Sequence, residues 1–261
     1  MSEFNFNPHA TGLDLKNAYC LGEAAKLAYE KSSDIIQAKT KEWGMSYCQY
    51  FENKKTDTQA FLAANDQMIL CSFRGTESLK SGITDLDFFR VDGFGGMVHR
   101  GFKRAFDSIW SDIKEAIVKN QTGSKSLWFT GHSLGAALAT LAVSALQEEG
   151  KSVNGLYTFG SPRVGNRSFA KTFNASCGAY TFRFVNNNDV VPRLPLAIRY
   201  LHVETIQYMD KNGILKHDIS CWEKLFDRFK GRIEDLGKPG TDGMKDHFID
   251  HYMESLKKNL V

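Results

Sequence analysis

One stretch, from Ser126 to Leu141, constrains the fold of this chain more than any other. Its sequence, SLWFTGHSLGAALATL, begins with an apolar run typical of a buried strand and continues into an alanine-rich run typical of a closely packed helix. Between them, the turn GHSLG at 131–135 has a glycine at each end, where a Cβ atom would keep two backbones apart. The stretch therefore predicts a strand, a sharp turn with Ser133 at its apex, and a helix.

The rest of the chain predicts an α/β fold whose first strands form an antiparallel hairpin around an Asn-Asp turn at 65–66. Later strands alternate with helices, which favours parallel pairing. The predicted helices are Leu13–Lys31, Gly101–Lys119 and segments near 219–235 and 247–259; the predicted strands are Met45–Phe51, Thr58–Ala64, Gln67–Phe73, Gly155–Phe159, Thr181–Val185, His202–Met209 and Gly213–Lys216.

The turn around Ser133 matches the G-x-S-x-G nucleophile elbow, in which a serine hydroxyl projects from the top of a sheet. Such a serine attacks a carbonyl carbon only when a base removes its proton and a carboxylate orients that base. In α/β-hydrolases the acid and then the histidine follow the serine along the chain. We therefore expect both partners downstream of Ser133.

The predicted acid is Asp189, which follows the apolar strand at 181–185 and a short Asn-rich turn. Catalytic groups of open α/β sheets collect at the carboxyl ends of strands. The alternative for Asp189 is that its side chain only caps the local turn. The weaker candidates for the acid lie in a hairpin tip or in polar loops: Asp210, Asp218 and Asp242.

The predicted base is His247, because a catalytic histidine is expected in a loop or at a helix start after the last strand. The other histidines downstream are His202, His217 and His251, of which His251 is expected to be a partly exposed helix residue. His247 and His251 could alternatively bind a metal together with Glu254. No Glu follows the first histidine as in the zinc-protease motif, so we predict no metal and no organic cofactor.

The tetrahedral intermediate needs hydrogen-bond donors for its oxyanion, each worth about 3 kcal/mol. One predicted donor is the backbone N–H of Leu134, and the second is Thr76, in the strand-ending loop CSFRGTES at 71–78. The alternative for this loop is an ordinary turn. Arg74 is predicted to brace the loop, and His132 is predicted to be a packed, hydrogen-bonded ring inside the elbow.

Six motifs in order resemble those of the class 3, fungal-type lipases of the α/β-hydrolase fold, in particular a bacterial branch. They are FRGTES at 73–78, VHRGF at 98–102, LWFTGHSLGAALA at 127–139, FGSPRVGN at 159–166, NDVVPRLP at 188–195 and DHFIDHY at 246–252. The resemblance implies Ser133 as nucleophile, Asp189 as acid and His247 as base, with Thr76 and Leu134 as oxyanion donors. Tyr252, five residues after His247, fits the bacterial branch.

The length of the chain and its unclustered prolines predict one domain over residues 1–261. The resemblance implies that its fold has a central, mostly parallel sheet, antiparallel N-terminal strands and helices on both faces. The implied activity is a serine carboxylic-ester hydrolase, foremost a triacylglycerol lipase that works through an acyl-enzyme. Its partners would be an acylglycerol or another carboxylic ester and, transiently, a lipid interface. The alternatives are a feruloyl-type or short-chain esterase or a phospholipase on the same scaffold; a complete triad argues against a non-catalytic lipid-binding module.

Two segments carry predictions about access to the site. Residues 79–97, with many apolar side chains and several glycines, are predicted as a mobile lid, the alternative being a fixed loop whose aromatic rings line the acyl pocket. The amphipathic segment Cys221–Leu236 is predicted as a helix packed on the core, the alternative being a cap near the site.

Composition excludes some function classes and suggests a location. With 33 basic and 30 acidic residues, the net charge of +3 does not indicate a nucleic-acid partner, and no apolar run is long enough for a membrane span. The five cysteines are scattered, which favours reduced thiols. Because the first residues lack the charged start and apolar run of a signal peptide, the sequence predicts a cytoplasmic protein, with non-standard export as the alternative.

Overall fold

The computed structural model describes residues 4–76, 89–195, 198–203, 205–216 and 242–260. Its strands are β1 (Tyr47–Asn53), β2 (Thr58–Ala64), β3 (Met68–Phe73), β4 (Arg90–Gly93), β5 (Gly96–His99), β6 (Ser126–His132), β7 (Gly155–Phe159), β8 (Thr181–Asn186), β9 (Ile206–Met209) and β10 (Leu215–Lys216). Its helices are α1 (Leu15–Leu27), α2 (Ser33–Glu42), α3 (Arg100–Asn120), α4 (Leu134–Glu148), α5 (Arg167–Cys177), α6 (Asp242–Lys245) and α7 (Ile249–Lys258).

Eight of these strands form one mixed sheet in the order β1-β2-β3-β6-β7-β8-β9-β10. The strands β1, β2 and β3 pair antiparallel, the run from β3 to β9 is parallel, and β10 returns antiparallel to β9. The β2–β3 hairpin closes at Asn65, whose side-chain oxygen accepts from the backbone N–H groups of Gln67 and Met68 at 2.9 and 3.0 Å. This sheet is the mostly parallel one, with an antiparallel N-terminal part, that the sequence predicts.

Helices cover both faces of the sheet. Alternate residues of β2 point to opposite sides: Ala60, Leu62 and Ala64 pack into one apolar cluster, and Phe61 and Ala63 into the other. The first cluster also holds the buried faces of α3, α4 and α5, whereas the second holds those of α1 and α7. The core therefore lies in two layers, and the carboxyl ends of the parallel strands lie between them.

The structure differs from the predicted elements in several places, and the strand predicted over His202–Met209 begins only at Ile206. The helix predicted over Leu13–Lys31 ends at Leu27, and a separate helix, α2, begins after Ser32, whose hydroxyl accepts from the N–H of Ile35 at 3.4 Å. The helix α5 was not predicted, although Asn166 caps it through the N–H of Phe169 at 3.0 Å. The hairpin of β4 and β5 was not predicted either.

Two of the predicted segments lie partly or wholly outside the described residues. The part of the predicted lid at 79–88 and the predicted helix Cys221–Leu236 lie outside the described residues. The end of the predicted lid, 89–97, contains β4 and the start of β5. In the described part of the chain, every helix is too short or too polar to cross a membrane.

Candidate active site

Ser133 lies between β6 and α4, as the elbow pattern predicts. Its backbone has φ 57° and ψ −126°, a conformation that costs energy for a residue with a side chain. Two hydrogen bonds hold it: the N–H of Ser133 donates to the carbonyl of Phe159 at 2.9 Å, and the N–H of Ala136 donates to the carbonyl of Ser133 at 3.0 Å. The serine is thus fixed at the end of its strand by its neighbour β7 and by the first turn of α4.

The two glycines of the elbow stand where any side chain would collide with backbone. A Cβ atom on Gly131 would overlap the carbonyl group of Gly135, and one on Gly135 would overlap the carbonyl oxygen of Phe73. The first turn of α4 therefore lies directly against the end of β3. This contact brings the N-terminus of α4, where Leu134 is the first residue, beside the loop that leads to Thr76.

The predicted oxyanion loop is held by contacts of Arg74 with the start of β2 and the turn before it. The buried guanidinium of Arg74 bonds to the carboxylate of Asp57 at 2.6 Å and to its carbonyl at 3.3 Å, and the N–H of Arg74 donates to the carbonyl of Gln59 at 2.9 Å. The prediction that Arg74 braces this loop is confirmed. Thr76 is half-buried and is the last described residue of the loop.

Asp189 and His247 form a fully buried pair, each with 0% of its surface exposed. The Nδ1 atom of His247 lies 2.9 and 2.8 Å from the two carboxylate oxygens of Asp189. A carboxylate only accepts hydrogen bonds, so this contact places a proton on Nδ1 and leaves Nε2 as an acceptor. Among the described residues Nε2 has no hydrogen-bond partner, which is the condition of an imidazole ready to take a proton.

Two further groups hold the carboxylate of Asp189. Its Oδ1 accepts from the N–H of Val191 at 2.9 Å, and its Oδ2 accepts from the hydroxyl of Tyr252 at 2.5 Å. Asp189 thus caps its own turn and also binds His247, so its side chain does more than cap the turn. Burial, and then the adjacent Asp189 charge, raise the pKa of Tyr252 well above its usual value, so its hydroxyl keeps its proton.

Gly160 joins this pair to the elbow, and the sequence analysis assigned it no role. It follows Phe159, which accepts from Ser133, and it has φ +58°. A Cβ atom on Gly160 would lie 2.8 Å from Cε1 of His247 and 2.9 Å from Oδ2 of Asp189. The signal in the sequence was the glycine directly after the apolar run of β7, a place where a strand end must pass close to other groups.

His132 is a hydrogen-bonded ring inside the elbow, as predicted. Its Nε2 lies 2.7 Å from the backbone carbonyl of His247, and its Nδ1 lies 2.7 Å from the hydroxyl of Tyr29. Burial, and then the proximity of His247, lower the pKa of His132 well below its usual value. This ring is therefore neutral, and it joins the elbow to the loop that carries His247.

The weaker candidates lie elsewhere or serve local structure. Asp210 accepts from backbone N–H groups of its own hairpin, and His202 bonds to the carbonyl of Pro192 at 2.6 Å. The side chain of His251 is 47% exposed and its Nδ1 lies 3.8 Å from the carboxylate of Glu254, which confirms a partly exposed helix histidine. His217, Asp218 and the side chain of Asp242 lie outside the described residues. In the described ranges no three His, Cys, Asp or Glu side chains are grouped to hold a metal ion.

Comparison with known proteins gives consistent matches. The family model "Lipase (class 3)" matches residues 70–198. The secreted mono- and diacylglycerol lipase 1 of Fusarium solani is 36% identical over 72% of this chain and 58% of its own length. The secreted mono- and diacylglycerol lipase A of Penicillium cyclopium is 37% identical over 57% of this chain and 50% of its own length. The chain thus spans about half the length of the curated relatives it matches.

A solved structure agrees with the sequence matches. The triacylglyceride lipase of Rhizomucor miehei superposes with a TM-score of 0.66 and 30% identity, over 74% of this chain and 79% of that one. Together with the mixed sheet and its two layers of helices, this likeness confirms the predicted α/β-hydrolase fold.

The prediction of a cytoplasmic location is wrong, because two of the relatives just named are secreted proteins, which points to an extracellular location. The prediction rested on scattered cysteines and on the character of the first residues. Reduced thiols are compatible with a secreted protein whose core is stable without disulfides, and this chain buries two extensive apolar clusters.

Proposed function

Because the chain belongs to the class 3 lipases, we propose that it is a serine carboxylic-ester hydrolase, acting on acylglycerols and foremost on triacylglycerols. One observation carries the proposal: the buried Asp189–His247 pair, with Nε2 of His247 left as an acceptor, joined through Gly160 and Phe159 to the strained Ser133. We assign Ser133 as nucleophile, His247 as base and Asp189 as the acid of the triad.

We propose the following acylation step for these residues. Nε2 of His247 takes the proton of the Ser133 hydroxyl as its oxygen attacks the ester carbonyl carbon, and the carbonyl oxygen becomes an oxyanion. The backbone N–H of Leu134 and the N–H and hydroxyl of Thr76 donate to that oxyanion. When the intermediate collapses, the carbon–oxygen bond to the alcohol breaks, and His247 gives its proton to the departing alkoxide.

Deacylation repeats the same steps with water. His247 takes a proton from the water molecule as its oxygen attacks the acyl carbon, and it returns that proton to the oxygen of Ser133 as the bond to the serine breaks. The fatty acid then leaves and the enzyme is regenerated. Throughout, the carboxylate of Asp189 orients His247 and stabilises the imidazolium that forms twice per turnover.

The three hydrogen-bond donors around Asp189 support this role. His247, Val191 and Tyr252 each donate to its carboxylate, which lies in the fully buried interior. These hydrogen bonds hold the carboxylate in the orientation that a histidine base requires.

We further propose an extracellular enzyme that contacts a lipid surface transiently. The support for location is the naming of both curated relatives as secreted. The support for lipid contact is Phe248, which directly follows the buried His247 and has 53% of its surface exposed. An exposed aromatic ring beside the base would meet substrate that arrives at a lipid–water boundary.

Replacement of Ser133 tests the proposal. Ser133→Ala should lower kcat/KM for p-nitrophenyl esters by at least about 10⁴-fold, because the nucleophile is removed. The matched control is Ser144→Ala, a buried serine of α4 whose hydroxyl only bonds to the carbonyl of Thr140 at 2.9 Å. It should keep nearly full activity. A folded Ser133→Ala protein with substantial ester hydrolysis would contradict the mechanism.

A chain-length series separates the substrate classes. A triacylglycerol lipase should hydrolyse emulsified long-chain triacylglycerols and should increase its rate when the substrate exceeds its solubility limit. A short-chain or feruloyl-type esterase would show saturation kinetics through that limit, and a phospholipase would prefer diacyl phospholipid vesicles. Either of these results would contradict the proposed substrate class but would remain consistent with the serine mechanism.

A further inference from the structure

Two consecutive hydrogen bonds lead from the side chain of Tyr29 through that of His132 to the backbone of His247. The hydroxyl of Tyr29, two residues after α1, lies 2.7 Å from Nδ1 of His132, and Nε2 of the same ring lies 2.7 Å from the carbonyl oxygen of His247. These three residues come from the end of the first helix, the elbow and the C-terminal loop. These two hydrogen bonds therefore connect elements that are more than a hundred residues apart in the sequence.

The direction of both hydrogen bonds follows from the chemistry of the acceptor. A carbonyl oxygen only accepts, so Nε2 of His132 carries the proton and donates it to His247. Burial lowers the pKa of His132 well below its usual value, so the ring is neutral and Nδ1 has no proton. Nδ1 therefore accepts from the hydroxyl of Tyr29, which selects the tautomer that can donate to His247.

The surroundings hold these groups tightly. The rings of His132 and His247 lie 4.5 Å apart, centre to centre. The hydroxyl of Tyr29 lies against the backbone of the loop that leads to Thr76, because a Cβ atom on Gly75 would overlap it and would lie 2.6 Å from the carbonyl oxygen of His132. Tyr29 thus lies where three segments meet: the candidate oxyanion loop, the elbow, and the loop at 246–248 that carries His247, called here the histidine loop.

We propose that Tyr29 and His132 are positioning residues that fix His247 through its backbone carbonyl, so that Nε2 stays aligned for both proton transfers. This inference rests on the proposed function, since it concerns the histidine that acts as base and acid there. Asp189 sets the rotation of the imidazole from one side, and His132 anchors the main chain of the same residue from the other. A displacement of about 1 Å in such a group can cost roughly 100-fold in rate.

The two proton transfers give the proposal a specific signature. An alkyl ester releases a strongly basic alkoxide, which needs the proton of His247 in order to leave. A p-nitrophenyl ester releases a stable phenolate, which leaves without that proton. Poor alignment of His247 should therefore reduce the hydrolysis of alkyl esters more than that of aryl esters with the same acyl chain, whereas loss of folded protein would reduce both equally.

The test compares two replacements of one ring. His132→Gln places an amide N–H close to the position of Nε2, whereas the shorter His132→Asn reaches only the position of Nδ1. We expect His132→Gln to stay within about threefold of the wild-type kcat/KM for a butyrate alkyl ester. We expect His132→Asn to lose about tenfold or more on that ester, with a smaller loss on p-nitrophenyl butyrate and an unchanged KM.

Tyr29→Phe is the second variant, and it keeps the ring while it removes the hydroxyl that selects the tautomer. It should lower the ratio of alkyl-ester to aryl-ester kcat/KM by about threefold to tenfold. Its matched control is Tyr157→Phe, which removes a buried hydroxyl at the opposite end of α1, where it bonds to Gly12 and Asp14. Titration of active sites with a p-nitrophenyl phosphonate normalises each rate to folded enzyme.

Each outcome decides the question. An unchanged ester ratio in Tyr29→Phe, or equal activity of His132→Asn and His132→Gln, would overturn the positioning role even if one variant folds poorly. A wild-type protein that neither hydrolyses esters nor reacts with the phosphonate would instead overturn the proposed function. The two failures are therefore distinguishable.

Discussion

The elbow and the histidine loop position their residues in opposite ways. Ser133 is held by backbone: a strand, a helix and two glycines within a few residues of sequence fix its strained conformation. His247 is held by side chains: Asp189 and His132 bind it directly from distant elements, and Tyr252, in the helix that follows it, acts through Asp189. Added atoms should therefore damage the elbow, whereas lost hydrogen bonds should damage the histidine loop.

The largest effect should come from the histidine itself. His247→Ala removes the proposed base and should lower kcat/KM for p-nitrophenyl esters by at least about 10⁴-fold. The neighbouring His251 lies one helical turn further and is largely exposed, so His251→Ala should leave the rate within about twofold. If only His251→Ala abolished activity, the base would be misassigned and the buried pair would be structural.

An added methyl group in the elbow should be the next largest effect. Gly135→Ala places a Cβ atom on the carbonyl oxygen of Phe73, so the start of α4 must move away from β3. We expect a loss of about 3–5 kcal/mol in the free energy of unfolding, measured with urea. Gly12→Ala, where a Cβ atom meets nothing within 4 Å, should change it by less than about 0.5 kcal/mol. Equal stability of the two variants would show that the elbow tolerates added atoms.

Removal of one hydroxyl should have a moderate effect on the histidine loop. Tyr252→Phe takes away the donor to Asp189 and the acceptor for the N–H of Asn186. We expect kcat to fall by about tenfold and the free energy of unfolding to fall by about 1–3 kcal/mol, since buried polar groups lose their partner. Steady-state kinetics and urea unfolding measure both. A variant with wild-type kcat would mean that Asp189 needs only His247 and Val191.

The smallest effect should concern the exposed ring beside the base. Phe248→Ser should lower the rate on emulsified triacylglycerol by about threefold to tenfold and should affect a dissolved short-chain ester less, because only the emulsion requires apolar contact. Val118→Ser, on an exposed position of α3, serves as the control and should change neither rate. If Phe248→Ser lowered the rates on both substrates equally, Phe248 would stabilise the histidine loop and would have no specific contact with lipid.

The same contrast explains what the sequence could predict. The strands Thr58–Ala64 and Gly155–Phe159 have the predicted bounds, and the elbow was recognisable because its signal is local. The order serine, acid, histidine selected Asp189 and His247 only together with their positions after strands, and the structure pairs these two residues. The elements that were missed, α2, α5, the short α6 and the β4–β5 hairpin, carry weaker or shorter patterns.

The contacts that hold the histidine could not be predicted in the same way. The bonds from Tyr252 to Asp189 and from His132 to the carbonyl of His247 join residues 63 and 115 positions apart. Such contacts depend on how two layers pack on one sheet, and periodicity carries no information about them. The location was mispredicted for a different reason: compartment is not a property of the fold.

Peptide mapping after reaction with a p-nitrophenyl phosphonate is the most direct test of whether Ser133 is a nucleophile that His247 activates. The reagent forms a bond only with a serine activated by a base, and it releases one p-nitrophenol per bond formed. We expect one phosphonyl group per chain, on the peptide that carries Ser133, and no labelling in His247→Ala on the same timescale. Labelling of a different serine, or ester hydrolysis by a protein that the phosphonate does not label, would contradict this role of Ser133.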